Sequence, residues 1–380
     1  MSFSSILKLK KANDEEQQAQ YIRHLVVGSD IFSMAIFLDL LNKHGEGNVA
    51  LLHEFPLTKK HVELIGPSML RGEEAIESFT SLFPNVSVKK IEEESKFFKE
   101  LKWRKFSGRS KSEKLLFNEE FYVRPRADVD FSQLFPFLES DQAFSDVEKN
   151  RIDSQIKNVK KIEATDLIEP NNFKIECLNK TTITCEKLYW GKGPREFLNK
   201  YENKSELSDK FIEFCESTEA PSVLYINFTY DIEVTNDNST LFIPLSYTHD
   251  WGHFIGEFKS HENGQQKAEF ITHLDPQHCN EEDISRKIRL LKRNLEKIYP
   301  HLKNNSYEEY LRLTDYSPCL NVDDSSYQNI EKEFSNLEMV SFNAPIKGSA
   351  PINDSCEDSL NGVDFLARAS QRWSEIKLTY

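Results

Sequence analysis

Residues 24–35 read HLVVGSDIFSMA, and residues 49–54 read VALLHE. The first stretch begins as an apolar strand, turns on Gly28 and continues as an amphipathic helix to about Asn42. The second stretch is another apolar strand, which ends on Glu54. A strand, a tight turn, a helix and a second strand make the first βαβ step of a dinucleotide-binding fold. The sequence therefore predicts an α/β chain with a Rossmann-like nucleotide domain.

Length and composition narrow the class of protein. A chain of 380 residues has room for two domains or one elaborate domain. Its 62 acidic and 48 basic residues give a net charge of −14, which argues against a nucleic-acid partner. No apolar run approaches the roughly 18 residues that a membrane span needs. We expect a cytoplasmic protein with no membrane span.

The residues that most often hold metals do not form a metal-site pattern. The six cysteines are scattered without a Cys-x-x-Cys pair, so we expect reduced thiols rather than a disulfide frame or a zinc site. His249 and His253 are four apart, but the Asp250-Trp251-Gly252 segment between them is typical of a loop or strand. Two histidines at that spacing share a face only on a helix, so we predict no metal site. Neither a Gly-x-Ser-x-Gly motif nor a phosphate loop is present.

Periodicity predicts the other elements. A polar lead-in covers residues 1–20, and a charged helix over 89–101 precedes a solvated basic loop at 102–111. The remaining predicted elements are helices over 72–83, 282–299 and from Ser359 onward, and strands over 156–162, 173–177, 181–185, 187–190, 222–228 and 240–246. Pro300 ends the helix over 282–299.

Four segments follow one another in an informative order. The opening βαβ unit closes on Glu54, and residues 185–194 read CEKLYWGKGP. The helix over 282–299 is followed by YLRLTDYSP at 310–318, and residues 352–354 and 359–363 read IND and SLNGV. In this order the segments resemble the flavin-containing amine oxidase superfamily, which includes protoporphyrinogen oxidases and phytoene desaturases. The resemblance implies a nucleotide domain interleaved with an α+β substrate domain.

The resemblance also implies a cofactor and its site. It places the nucleotide domain at 21–95, 150–200 and 335–380, and the substrate region at 96–149 and 201–334. It implies an FAD-dependent oxidoreductase that removes a hydride from a C–N or C–C bond of a small or apolar substrate. The cofactor-binding residues that it implies are Gly28, Ser29, Ser33, Glu54, Asp354, Asn361 and Gly362. The lysine that the family often places near the flavin is not identifiable in this sequence, so no catalytic residue is predicted.

The glycine motif departs from the family pattern at two of its three positions. The first glycine is Gly28 and the third position is the small Ser33, but Asp30 occupies the second, where the backbone approaches the pyrophosphate. At about 4 Å and an effective dielectric near 20, its repulsion from the pyrophosphate would be about 4 kcal/mol before relaxation. Two hypotheses stay open. One is an FAD-dependent enzyme acting on a small molecule, and the other is a degenerate homologue without FAD that binds a protein partner or acts as a scaffold.

Overall fold

A computed structural model describes much of the chain between residues 20 and 340. The described residues are 20–28, 31–53, 69–92, 95–105, 126–130, 133, 143–145, 159–165, 172–177, 182–217, 222–245, 253–260, 264–274, 280–314 and 330–340. Nearly all of the predicted lead-in and the whole of the predicted last helix lie outside these ranges. Within them the strands form three sheets.

The elements are numbered in chain order. The strands are β1 (Gln20–Val27), β2 (Val49–His53), β3 (Met69–Arg71), β4 (Val88–Ile91), β5 (Lys96–Lys99), β6 (Lys102–Lys105), β7 (Arg126–Val129), β8 (Ala143–Ser145), β9 (Val159–Thr165), β10 (Asn172–Cys177), β11 (Thr182–Trp190), β12 (Ser222–Tyr230), β13 (Leu241–Pro244), β14 (His253–Ser260), β15 (Gln266–Leu274), β16 (Tyr307–Thr314) and β17 (Leu337–Met339). The helices that position the features below are α1 (Ile31–His44), α2 (Glu73–Leu82), α3 (Pro194–Lys200), α4 (Asp209–Ser217) and α5 (Glu281–Ile298).

The first sheet is the nucleotide-type sheet that the opening motif predicts. Its strands lie in the order β8-β2-β1-β11-β10-β9, and β17 pairs with the end of β11. The pairs β2–β8, β1–β2, β1–β11 and β11–β17 are parallel, whereas β9, β10 and β11 form an antiparallel meander. The predicted α/β class is confirmed. Strand β8 belongs to this sheet although it lies in the segment 96–149, which the resemblance assigned to the substrate region.

The opening βαβ unit is confirmed element by element. Strand β1 and helix α1 flank Gly28, and β2 ends at His53. Strand β2 and the last four residues of β1 are buried, and buried strands of this kind read as continuous apolar runs. The two short strands predicted over 181–190 are one strand, β11, because it pairs with β1 along its whole length.

The predicted charged helix over 89–101 is wrong. Residues 88–91 form β4, and residues 96–105 form the hairpin of β5 and β6. Tertiary pairing explains the difference, since β4 pairs with β7 and β5 pairs with β13. The side-chain pattern of one segment gives no information about these distant strand partners. Residues 102–105 of the predicted basic loop are likewise a strand.

The two faces of the second sheet pack against different parts of the protein. Its order is β16-β12-β15-β14-β13-β5-β6. The predicted helix over 282–299 is confirmed as α5 (Glu281–Ile298). Its apolar stripe of Ile288, Leu291 and Leu295 packs against one face of the second sheet. The opposite face contributes Tyr225 and Ile271 to the core cluster that includes α1 and α2. The second sheet therefore faces the nucleotide-type layer on one side and α5 on the other.

A small third sheet of β3, β7 and β4 completes the described fold. Among the described residues, no helix is both long and apolar enough to cross a membrane.

Candidate functional site

The carboxyl edge of the first sheet is closed by backbone hydrogen bonds between strand ends. The Gly28 amide donates to the Leu52 carbonyl over 2.9 Å, and the Gly191 amide donates to the Val27 carbonyl over 2.6 Å. The Val340 amide donates to the Trp190 carbonyl over 2.9 Å. The ends of β2, β1, β11 and β17 therefore lie side by side. In open α/β sheets this edge is where nucleotides bind.

Ser33, in the first turn of α1, is wedged between two glycines at this edge. It is fully buried. A Cβ added to Gly28 would lie 2.3 Å from the Ser33 Oγ and 3.2 Å from the Gly191 Cα. A Cβ added to Gly191 would lie 1.9 Å from the same Oγ and 2.9 Å from the Val27 carbonyl oxygen. Both strand ends must therefore be glycine for the helix to pack this closely.

This packing brings together two of the predicted site residues, Gly28 and Ser33. Ser33 fills the position at which the motif requires a small residue for close contact between helix and strand. The other predicted cofactor-binding residues lie outside the described residues, as does Asp30. They are Ser29, Glu54, Asp354, Asn361 and Gly362.

Gly191 also lies at this edge, although the glycine motif at residues 28–33 does not predict it. It follows β11, a strand far from Gly28 in sequence, and only the parallel β1–β11 pairing brings the two glycines together. The available signal was the Gly-Lys-Gly-Pro turn at residues 191–194, where a strand ends before a helix with proline at its first position. That turn is part of the segment that resembles the family's returning strand.

Lys192 places a buried amine in the same turn. The residue is only 3% exposed. Burial lowers the pKa of Lys192 to about 7; attraction by Glu196 opposes this shift, and repulsion from Lys200 adds to it. A lysine with such a pKa changes its charge near neutral pH, and an anion beside it would favour the protonated form.

The described part of the edge fits the pyrophosphate end of a dinucleotide. Helix α1 begins at Ile31, three residues after Gly28, so its positive N-terminal end lies at the carboxyl edge. The glycines at 28 and 191 let Ser33 pack against the two adjoining strand ends, which brings the N-terminus of α1 close to this edge. These residues fit the phosphate part of FAD, and they do not by themselves choose between FAD and another dinucleotide.

A second polar cluster lies between the second and third sheets. The Lys259 Nζ is 2.8 Å from Asp128 Oδ1 on β7, 3.4 Å from Glu257 Oε1 and 3.2 Å from Glu269 Oε2. Lys267 adds a 3.1 Å ion pair to Glu269. Burial alone would lower the pKa of Lys259, but the three carboxylates outweigh it and raise that pKa. Two lysines face three carboxylates, and the ion pair between Lys259 and Asp128 ties β7 to the second sheet.

Asn227 differs from that cluster because its side chain has no hydrogen-bond partner among the described residues. It is 2% exposed, and both its Nδ2 and its Oδ1 are unsatisfied. It lies opposite Glu269 and two residues beyond Tyr225, so it shares the sheet face that looks toward α1. A buried amide without a partner is costly, so it is a candidate contact for a ligand.

Comparisons with known proteins agree with the architecture. No family model matches the chain, and no curated protein matches it by sequence. An oxidoreductase from Methanosarcina mazei matches with a TM-score of 0.58 at 11% identity, over 92% of this chain and 100% of that chain. Putrescine oxidase bound to putrescine matches with a TM-score of 0.52 at 8% identity, over 94% of this chain and 99% of that chain. A protein from Pyrococcus furiosus matches with a TM-score of 0.54 at 11% identity, over 93% of this chain and 97% of that chain.

At these low identities the comparisons establish the fold alone, and the chemistry has to be argued from the residues of the site. The predicted resemblance to the flavin-containing amine oxidase superfamily is confirmed at the level of the fold. The chain thus shares its fold with these solved structures, among them an oxidoreductase and putrescine oxidase.

Proposed function

We propose that this chain binds FAD along the carboxyl edge of its first sheet and acts as an oxidoreductase of the amine oxidase type. The observation that carries the proposal is the close packing of Ser33 between Gly28 and Gly191. This packing keeps the first and third positions of the dinucleotide motif in their physical roles.

Different residues of the edge would contact different parts of the cofactor. The turn after Gly28 and the N-terminus of α1 would face the pyrophosphate, and Lys192 would supply a positive charge close by. Glu54, which follows β2, would accept hydrogen bonds from the ribose hydroxyls, and Asp354 with the segment around Asn361 would meet the flavin. Bound FAD supplies the hydride acceptor, and the protein orients the substrate and excludes water.

The substrate would lie between the flavin and the second sheet. The face of that sheet turned toward α1 is apolar at Tyr225 and Ile271, and it carries the unsatisfied amide of Asn227. The carboxylates of Glu257 and Glu269 are already paired with lysines, so they are not free to receive a cationic amine. This favours a largely apolar substrate with one hydrogen-bonding group near Asn227, oxidised at a C–N or C–C bond.

The test begins with the visible spectrum of the protein after incubation with FAD and desalting. We expect the two absorption bands of bound flavin, and we expect Gly28→Ala to lose them because its Cβ meets Ser33. The matched control is Gly45→Ala, which also replaces a glycine of positive φ but whose Cβ meets nothing within 4 Å, so it carries the backbone strain without the contact to Ser33. Circular dichroism checks that both variants fold.

A second step tests the reaction type. The loaded protein is mixed without oxygen with putrescine and with larger apolar amines, and bleaching of the flavin bands reports hydride transfer. A colourless protein after FAD incubation would contradict the whole proposal and favour a fold kept for binding. Retained flavin that no amine bleaches would contradict only the amine oxidase type.

A further inference from the structure

The hairpin of β5 and β6 ends in a leucine that is exposed to solvent. Leu101 is 77% exposed, the highest value among the large apolar side chains of the described residues. It sits in a two-residue turn with Glu100, since Lys99 and Lys102 pair directly across the hairpin. An aliphatic side chain held at the tip of a hairpin contributes nothing to the core.

The turn itself has an unfavourable sequence. Glu100 and Leu101 have φ values of 53° and 60°, and among the described residues they are the non-glycine residues with positive φ. Two positive φ values make a type I′ turn, for which Asn-Gly is the favoured sequence. Non-glycine residues in this conformation are strained, and such strain clusters at functional sites. Glu100 and Leu101 are therefore not the residues that would make this turn most stable.

The charges on the hairpin are also arranged against local stability. Lys99 lies opposite Lys102 beside the turn, and Lys96, which lies opposite Lys105, is paired with Asp237. Like charges in directly opposed positions destabilise a sheet. Lys99, Lys102 and Arg104 share one face by the alternation of strands. Arg104 forms an ion pair with Glu100, whereas Lys99 and Lys102 flank the turn. An anionic surface would relieve this repulsion.

The surrounding sequence extends the positive charge. Residues 96–114 contain eight basic and two acidic residues, a net charge of +6 in a chain whose total is −14. Most of the protein is therefore repelled by an anionic surface, and this segment is attracted to it. Such asymmetry orients the molecule with the hairpin first.

The hairpin is firmly mounted, so its tip is presented in a fixed position. Phe98 and Trp103 pack edge to face with their ring centroids 5.1 Å apart, and Trp103 packs against the core of the second sheet. Lys96 pairs with Asp237 over 2.7 Å, and β5 pairs with β13. The aromatic side chains of the hairpin are thus committed to packing, and the exposed apolar group is aliphatic.

From these features we infer that the β5–β6 hairpin docks the protein on an anionic phospholipid surface. Leu101 enters the boundary between headgroups and acyl chains, while Lys99 and Lys102 contact the headgroups. Nucleic acid fits less well, because single strands are held by stacking on aromatic side chains and the tip offers none. Lysines on an edge strand also discourage aggregation, but that role does not explain an exposed leucine in a strained turn. The inference stands independently of flavin binding.

The test is cosedimentation of the full chain with vesicles of phosphatidylcholine, with and without phosphatidylserine. We expect binding only to vesicles that contain phosphatidylserine, and weaker binding as salt rises. Lys99→Gln with Lys102→Gln should weaken binding about 25-fold, at roughly fivefold for each cation. Leu101→Ser should weaken it about tenfold, because its apolar area no longer leaves water.

The matched control is Lys89→Gln with Lys90→Gln, two exposed lysines on β4, which should bind like the wild type. Replacing Glu100 and Leu101 by Asn-Gly should raise the urea midpoint while weakening lipid binding, an opposition that a merely structural turn would not give. Equal binding to both vesicle types, or binding unaffected by the tip variants, would overturn the inference. A protein that binds a single-stranded oligonucleotide and not the anionic vesicles would overturn it in favour of nucleic acid.

Discussion

Substitution of Gly191 by alanine tests the close contact on which the candidate site rests. The new methyl would stand 1.9 Å from the Ser33 Oγ and 2.9 Å from the Val27 carbonyl oxygen. Real Cβ atoms do not make contacts this short with either atom, so helix α1 must shift or Ser33 must change its rotamer. Overpacking of this kind costs about 1–3 kcal/mol. Because two contacts are violated, we expect Gly191→Ala to lower the free energy of unfolding by about 3 kcal/mol.

A double-mutant cycle separates the contact with Ser33 from a general effect. Ser33→Ala alone should cost about 1 kcal/mol, since the hydroxyl loses its interaction. In the double variant the 1.9 Å contact is gone and the one with Val27 remains. We therefore expect the double variant to be more stable than additivity predicts, by about 1–2 kcal/mol.

Urea unfolding followed by circular dichroism measures all four proteins, and the buried Trp190 next to Gly191 gives a second probe by fluorescence. Strict additivity of the two substitutions would refute the packing of Ser33 between the strand ends. A Gly191→Ala variant as stable as the wild type would refute it as well.

Three further predictions follow from single residues. Asp30→Gly should tighten FAD binding by a factor of one hundred or more in a fluorescence titration, because a negative charge near the pyrophosphate is removed; unchanged affinity would show that Asp30 does not limit binding. Lys192 has a pKa of about 7 in the folded protein, compared with an ordinary value of 10.5. The unfolded chain therefore binds more protons than the folded protein between these two pH values, and the free energy of unfolding should rise with pH across this range. Lys192→Met should flatten that rise in urea titrations at several pH values, and an unchanged slope would contradict the burial of the amine. Asn227→Leu should raise the free energy of unfolding by about 1 kcal/mol, since it removes an unsatisfied amide; a destabilised variant would mean that the amide has a partner.

The opening βαβ unit could be predicted because its signals are local. The apolar runs of β1 and β2, the turn on Gly28 and the periodicity of α1 all lie within 35 residues. Helix α5 could be predicted for the same reason, since its apolar residues recur with the helical period. In each case the local pattern and the tertiary surroundings favour the same structure.

The hairpin of β5 and β6 could not be predicted, because its pattern and its partners disagree. Charged residues dominate both strands, and the pairing of β5 with β13 joins segments more than 140 residues apart. Its turn also lacks the glycine that normally marks a two-residue hairpin. The local pattern therefore favoured a helix that the fold does not contain.

The candidate site was predicted in part. Gly28 and Ser33 follow from the motif, but Gly191 and Lys192 lie at the end of a strand that reaches β1 only through parallel pairing. The sequence does not predict a role for Asn227. An asparagine inside an apolar strand becomes informative only when the structure shows that its side chain has no hydrogen-bond partner among the described residues. Residues that act through long-range proximity need the topology before they can be recognised.

Hydrogen–deuterium exchange with and without FAD tests the central claim most directly, that the carboxyl edge of the first sheet holds the cofactor. We predict slower exchange in peptides covering 24–35 and 186–194 when FAD is present, and unchanged exchange in the peptide covering α5. Protection confined to other parts of the chain, or no protection at any FAD concentration tested, would contradict the proposal that this edge is the flavin site.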